Sequence, residues 1–514
     1  MCRQTKMYAR GSEQAFVMTS ATSSIRANPW LIQGGMGIAI SGWPLARAVA
    51  RAGQLGIVSG TAIDNVFVRR LQDEGISDRL HAVLDRFPVP SIVERAVRQF
   101  ASTKRAVGDA YQNLLMLTHR SPQHSQDLLV LASFVEVAMA KDGHDGLVGM
   151  NLLTKVQLPT APTLMGAILA DADYIVMGAG VPTHIPGTLV RLAQGDEVEM
   201  PLDVAGASSQ DSVRTVRFNP TRYLPTHALR KPKFLGIVSS HVLATALAKR
   251  SNGPVDGFVV ERPSAGGHNA PPRGKFTIDD KGNPEYGERD RIDYEVLGQL
   301  DQPFWIGGGV TTHEHVREAW DLGATGVQVG TLFAYCDESG MEPTLRAEVI
   351  DTASHGELEV LTSLRASSTG YPFKVVQIEG TIADPEVYEA RARKCDLGYL
   401  REAFAKSDGT VGYRCAAEPV RAYLRKGGEL ADTVDCACLC NGLMSACGLG
   451  QVRSDGTTEP PIVTSGDCIN EIAVLARGRG HYSALEVIER LSGTATTDGA
   501  SDSSQCTGVA LATA

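Results

Sequence analysis

Eight short apolar runs, most with glycine at or near their ends, limit what this chain can fold into. They are "LIQGGMG" (31–37), "LGIVSGTA" (55–62), "GLVGMNLL" (146–153) and "YIVMGAGVP" (174–182) in the first half. "KFLGIVSS" (233–240), "GFVVERPSAGGH" (257–268), "PFWIGGGV" (303–310) and "GVQVGTLFA" (326–334) follow. Runs of this length, bounded by turn residues, read as strands. Helix-like stretches such as "WPLARAVARAG" (43–53), "APTLMGAILADA" (161–172), "HVLATALAKRS" (241–251) and "THEHVREAWDLGA" (312–324) lie between them. Strands that are apolar on both faces and alternate with helices imply a parallel sheet covered by helices. Eight such units predict an α/β chain closed into a (β/α)8 TIM barrel; the count alone also leaves an open doubly wound sheet.

Two stretches interrupt the rhythm. Residues 66–140 read as a helical insertion after the second strand, and 187–230, with alternating "DEVEMPLDVAG" and "SVRTVRFNP", as a β-hairpin excursion after the fourth. The predicted organisation is a loose arm at 1–28, a barrel at 29–340, a mostly helical, cysteine-rich C-terminal region at 341–491 and a low-complexity tail at 492–514. A net charge of −9 without a basic cluster argues against nucleic acid as a partner. No run reaches the roughly 18 apolar residues of a membrane span, and the arm lacks the apolar stretch of a secretory signal, so a cytoplasmic location is expected.

In such a barrel the chemistry gathers where the strands end, because the loops there converge. "IGGGV" puts Gly307, Gly308 and Gly309 at the end of strand seven, and "VGT" puts Gly330 and Thr331 at the end of strand eight. Glycines let a phosphate approach several backbone N–H groups, and a threonine hydroxyl adds a donor; tight turn packing is the alternative. Strand one ends in Gln33, Gly34, Gly35 and Met36, an amide, a permissive backbone and a thioether that suit a planar ring, or simply a glycine turn. Asn151 and Gly178 extend the rim. A phosphate bearing a planar heterocycle suggests FMN. Past strand six, Gly266 and Gly267 allow close approach and His268 stands where an imidazole can act as general acid or base. The chain has no phosphate-loop, zinc-helix or nucleophile-elbow motif.

"QGGMG", "SAGGH", "IGGGV" and "GVQVGT", in this order over about residues 30–340, resemble the nitronate monooxygenase (2-nitropropane dioxygenase-like) flavoproteins, a group that includes the FMN-dependent enoyl reductases of fatty acid and polyketide synthases. The resemblance implies a barrel binding FMN non-covalently, with His268 at the catalytic position, Gln33 to Met36 at the flavin loop, and Gly307 to Gly309, Gly330 and Thr331 around the phosphate. Both insertions and the C-terminal region exceed the compact members. "HNAPPRG" adds Asn269 and Arg273 as substrate-binding candidates; Arg273 suits an anionic group, or an ion pair at the surface.

Of ten cysteines, Cys2 and Cys336 stand apart and eight lie between 395 and 506. The spacing in "DCACLCNGLMSAC" matches neither a paired zinc site nor a ferredoxin run, so free thiols are expected and no metal is assigned. The leading expectation is an oxidoreductase that oxidises an alkyl nitronate or a related acidic C–H substrate with dioxygen. An NAD(P)H-dependent enoyl-thioester reductase, meeting an acyl carrier protein, and a non-catalytic flavin-binding partner of a larger assembly are the alternatives; a homodimer is compatible with each.

Overall fold

The computed structural model describes residues 28–102, 104–207, 215–356 and 358–494. Nearly all of the arm and tail read from the sequence, with Cys2 and Cys506, lies outside them. The first half runs β1 (Leu31–Gln33), α1 (Trp43–Arg51), β2 (Gly56–Ser59), α2 (Ile63–Glu74), α3 (Asp78–Leu84), α4 (Pro90–Phe100), α5 (Gln123–Lys141), β3 (Val148–Leu153), α6 (Thr160–Leu169) and β4 (Tyr174–Gly178). Then come α7 (Ile185–Gln194), β5 (Val198–Pro201), β6 (Val204–Ala205), β7 (Thr215–Phe218), β8 (Lys233–Val238), α8 (His241–Arg250) and β9 (Gly257–Glu261). The series closes with α9 (Tyr294–Gly298), β10 (Phe304–Gly307), α10 (His313–Asp321), β11 (Gly326–Val329) and α11 (Thr331–Ala334).

Eight of these strands form one parallel sheet in the order β1-β11-β10-β9-β8-β4-β3-β2. A bridge from Ile32 to Leu55, with Gln33 N–H donating to the Leu55 carbonyl at 3.0 Å, joins the two ends into a closed barrel. The eight apolar runs are these eight strands. Alternation along them explains the apolar character of both faces. Ile32, Ile57, Tyr174, Val176, Leu235, Val259 and Trp305 fill the barrel, while Leu31, Val58, Met150, Phe234, Phe258 and Ile306 meet the helices outside.

The interruptions divide further than their composition suggested. Of the helices at 66–140, α5 packs on α1 and α6 and so belongs to the helical layer of the barrel, leaving α2 to α4 and the connection after them as the added part. In 187–230, α7 is likewise a barrel helix with Leu189 and Leu192 buried, and the excursion proper is the antiparallel β5–β7 pair.

Residues 341–494 are not helical alone. Helices α12 (Pro343–Ser354), α13 (Pro385–Ala390), α14 (Val420–Arg425), α15 (Leu439–Ala446), α16 (Glu471–Ala476) and α17 (Ala484–Ser492) are joined by two antiparallel pairs. These are β12 (Glu359–Ser363) with β13 (Phe373–Gln377), and β14 (Glu402–Ala405) with β15 (Val411–Arg414). The alternating "FKVVQ" and "EAFA" carry the strand pattern that the helical reading passed over. β14 also pairs with β6, and α17 packs on α1 and α10, so the region is tied to the excursion and the barrel wall.

Candidate active site

A cavity opens where the barrel strands end, and the C-terminal region roofs it. Its floor and rim carry Gly34, Gly35, Met36, Asn151, Gly178, Gly266, Gly267, Gly307, Gly308, Gly309, Gly330 and Thr331; its roof carries Phe373, Tyr399, Leu400, Leu439, Leu443 and Ile462. The rim residues expected from the sequence therefore converge on one space, with three exceptions.

Gln33 does not line the cavity. Its side chain is fully buried in the barrel wall, where Oε1 accepts from Ile57 N–H at 2.9 Å and Nε2 donates to Ser41 Oγ at 2.8 Å. With those bonds made, the amide fixes the β1 loop rather than facing a ligand. Asn269 is also buried behind the loop, its Nδ2 donating to the Ala265 carbonyl at 3.2 Å and its N–H to the Pro372 carbonyl at 2.9 Å. Arg273 points away and pairs with Asp290, the Nε–Oδ1 separation being 3.6 Å, which is the surface ion pair rather than an anion clamp.

Backbone shape explains the glycines. A Cβ at Gly35 would stand 2.1 Å from Cβ of Asn151, whose Nδ2 donates to the Gly35 carbonyl at 3.4 Å. Gly308 and Gly309 have φ of 91° and 76°, a left-handed pair that glycine adopts without steric cost. The N–H groups of Gly308, Gly309, Gly330 and Thr331 find no protein acceptor among the described residues, although all four residues border the cavity. Thr331 Oγ1 accepts from Gly466 N–H at 3.0 Å, so a C-terminal segment stands beside them. Unpaired amides around glycines are a donor set for an anionic oxygen.

His268 lines the same cavity. Gly267, at φ 80°, turns the chain, and the main chain of the loop is held by β13 through the Lys374 N–H bond to the Gly267 carbonyl at 3.0 Å. The imidazole packs edge-to-face on Phe373, centroids 4.8 Å apart, and Nε2 stands 2.8 Å from Ser367 Oγ. Burial pushes its pKa down to about 4, below the range expected for a free histidine, so it is a neutral imidazole at pH 7. Ser367 and Phe373 come from the C-terminal region, a partnership no local pattern announces.

The sequence reading also passed over Glu261, at the end of β9. It borders the cavity without a hydrogen-bond partner among the described residues, and burial pushes its carboxyl up to about 7. Its signal was a lone carboxylate closing the apolar run "GFVVE". Cys440 lies on the roof; among the described residues no three His, Cys, Asp or Glu side chains are placed to hold a metal ion. No helix among them is long and apolar enough to cross a membrane.

Residues 208–395 match the nitronate monooxygenase family model. A probable nitronate monooxygenase of Bacillus subtilis (strain 168) is 31% identical over 130 residues, 25% of this chain and 35% of the relative, so the match spans about a third of the relative's length. Among solved structures, FabK from Thermotoga maritima is similar at 14% identity and a TM-score of 0.43, covering 90% of this chain and 92% of that one. The nitroalkane oxidase from Streptomyces ansochromogenes (13%, TM-score 0.42, 90% and 95%) and the enoyl reductase domain of MlnA from Bacillus amyloliquefaciens (10%, TM-score 0.43, 91% and 96%) are also similar. The sequence match lies across the β9, β10 and β11 ends that build the cavity, so this part of the chain is similar to the nitronate monooxygenase family.

Proposed function

We propose that the chain is an FMN-dependent oxidoreductase that oxidises an alkyl nitronate or a related acidic C–H substrate with dioxygen. The observation that carries the reading is one cavity bordered both by the unpaired amides of Gly308, Gly309, Gly330 and Thr331 and by a half-buried, neutral His268. The residues fit the cofactor: four N–H donors suit its phosphate, while Met36, Asn151 and the flat backbone at Gly34 and Gly35 suit a planar ring. Bound FMN supplies the electron-pair chemistry that no side chain here can perform.

The chain's own part is to bind, enclose and move a proton. His268 is unprotonated at pH 7 and so can accept a proton from an acidic C–H, with Ser367 fixing the ring. The barrel at 29–340 would hold the cofactor and 341–491 would cover it, in a cytoplasmic enzyme.

The apolar roof of Leu400, Leu439, Leu443 and Ile462 favours a second reading, an NAD(P)H-dependent enoyl-thioester reductase served by an acyl carrier protein. Anaerobic mixing of the FMN-loaded protein separates the two. Bleaching of the flavin by alkyl nitronate and not by NADPH is the expected result; rapid bleaching by NADPH, followed by reoxidation with an enoyl thioester, supports the reductase. FMN binding without turnover in either assay would contradict both.

A further inference from the structure

A second cavity, of about 450 Å³, lies beside the first, between α4, α5 and the connection that joins them. Its walls include Ile92, Phe100, Leu128, His124 and Asn113, and the exposed Leu115 stands at its rim, so it is open to water. Asp64, in the first turn of α2, also lines it. The Asp64 carboxylate accepts a hydrogen bond from the Tyr399 hydroxyl, which in turn accepts from Asn65 Nδ2 at 3.1 Å. Tyr399 borders the first cavity. One hydrogen-bonded pair thus has one member on each cavity, and around it the wall is apolar, built of Ile38, Ala62, Val66 and Leu397.

From this juxtaposition we propose that Tyr399 is a second proton-handling residue of the active cavity and that Asp64 connects it to water in the neighbouring cavity. The inference rests on the oxidoreductase reading for its use, though not for its existence. When Asp64 is protonated it donates to the Tyr399 oxygen, leaving the phenolic O–H free to turn to the cavity. That O–H bond breaks as a proton passes to a basic atom of the bound molecule, the Asp64 carboxylic proton replaces it, and water in the second cavity reprotonates Asp64. Run in reverse, the same chain carries away a proton taken from substrate. One proton enters for each that leaves, and no electron moves.

Burial raises the Asp64 carboxyl above its ordinary range, against the hydrogen bonds from Tyr399 and Asn65, so its neutral form is within reach. Tyr399 is itself held far above the usual phenol range, so the phenolate exists only in passing. Arg69, Tyr111, Cys440 and Cys447 are titratable groups packed near the pair, Arg95 and His124 line the second cavity with Asp64, and Arg69 donates to the Leu449 carbonyl. His268, by contrast, bonds Ser367 and is no part of this chain of contacts. The site would then have two proton routes on different walls.

Two measurements on the full chain test this. In the protein without added FMN, difference infrared spectroscopy in water and heavy water should show a carboxyl band that Asp64→Asn removes, that Tyr399→Phe shifts, and that exchanges as soon as heavy water is added. A band that exchanges only on unfolding overturns the proposal, whatever FMN does. In FMN-loaded protein at saturating substrate, Tyr399→Phe and Asp64→Asn should each slow turnover, by about 100-fold for the loss of a general acid or base. The double variant should be no slower than Tyr399→Phe alone, because the two act in series. Equal FMN affinity in all four proteins is expected. Wild-type turnover in both variants, or losses that follow FMN release, would overturn the relay and assign the pair to holding the roof on α2. A wild type that takes up no FMN would instead sink the oxidoreductase reading, leaving the infrared result to decide the relay.

Discussion

The rim of the barrel presents backbone to the cavity, through Gly34, Gly35, Gly308, Gly309 and Gly330, whereas the C-terminal roof presents side chains, from Phe373 and Tyr399 to Leu439, Leu443 and Ile462. Backbone amides in a fixed fold are a donor set that few substitutions can retune. Side chains on a separate element can change without disturbing that set. On the proposed function this division would separate what holds a cofactor from what chooses a substrate, and it can be broken from either side.

The largest effect is expected at the rim. Gly35→Ala drives a methyl into Asn151, a 2.1 Å approach that the β1 loop cannot absorb, so FMN uptake should be lost, with an overpacking cost of about 1–3 kcal/mol. Fluorescence titration with FMN and chemical unfolding measure the two parts. Next is the group between the regions: His268→Gln should retain FMN and lose about 10²–10⁴-fold in turnover, the range for a general base. Steady-state kinetics beside flavin content distinguishes it from a binding defect. On the roof, Leu443→Ala should raise KM several-fold for substrates with long apolar chains while FMN affinity is unchanged, a dissociation that the rim variant cannot show.

A subtler contrast lies in how His268 and Glu261 titrate. His268 has a folded pKa of about 4 against 6.5 when free, so between those values the unfolded chain binds more protons and stability rises with pH; its contribution is complete above 6.5 and lost as pH falls to 4. Glu261, at about 7 against 4.5, does the opposite: the folded chain binds more protons, and stability falls as pH rises from 4.5 to 7. Each is worth at most about 3 kcal/mol over its window, and together they nearly cancel. Urea unfolding of the protein without FMN should therefore show His268→Gln losing stability from pH 4.5 to 7 relative to wild type, and Glu261→Gln gaining it. The smallest effect is expected for Arg273→Ala, which removes a partly exposed pair worth about 0–1 kcal/mol and should leave KM unchanged.

The barrel was legible because each strand is buried on both faces and stops at residues a turn requires. The same chemistry made the rim legible: glycines at the ends of β10 and β11 are needed where they stand. The roof was not, since its contacts join residues far apart in the chain, as when Ser367 reaches His268 or Gly466 reaches Thr331. Gln33 was misplaced for a related reason. An amide after an apolar run can face a ligand or lock a wall, and only the positions of Ile57 and Ser41 decide it. Arg273 needed Asp290. Tyr399, in "DLGYL", carried no signal at all until α2 was placed beside it.

The account rests on the rim amides holding a flavin phosphate under a side-chain roof. Titrating the purified full chain with FMN, beside a Gly309→Val variant, tests it most directly. One-to-one quenching of flavin fluorescence by the wild type, weakened at least tenfold in the variant and by added inorganic phosphate, is the predicted result. A wild type that leaves free FMN unquenched, or a variant that binds as well as wild type, would contradict it.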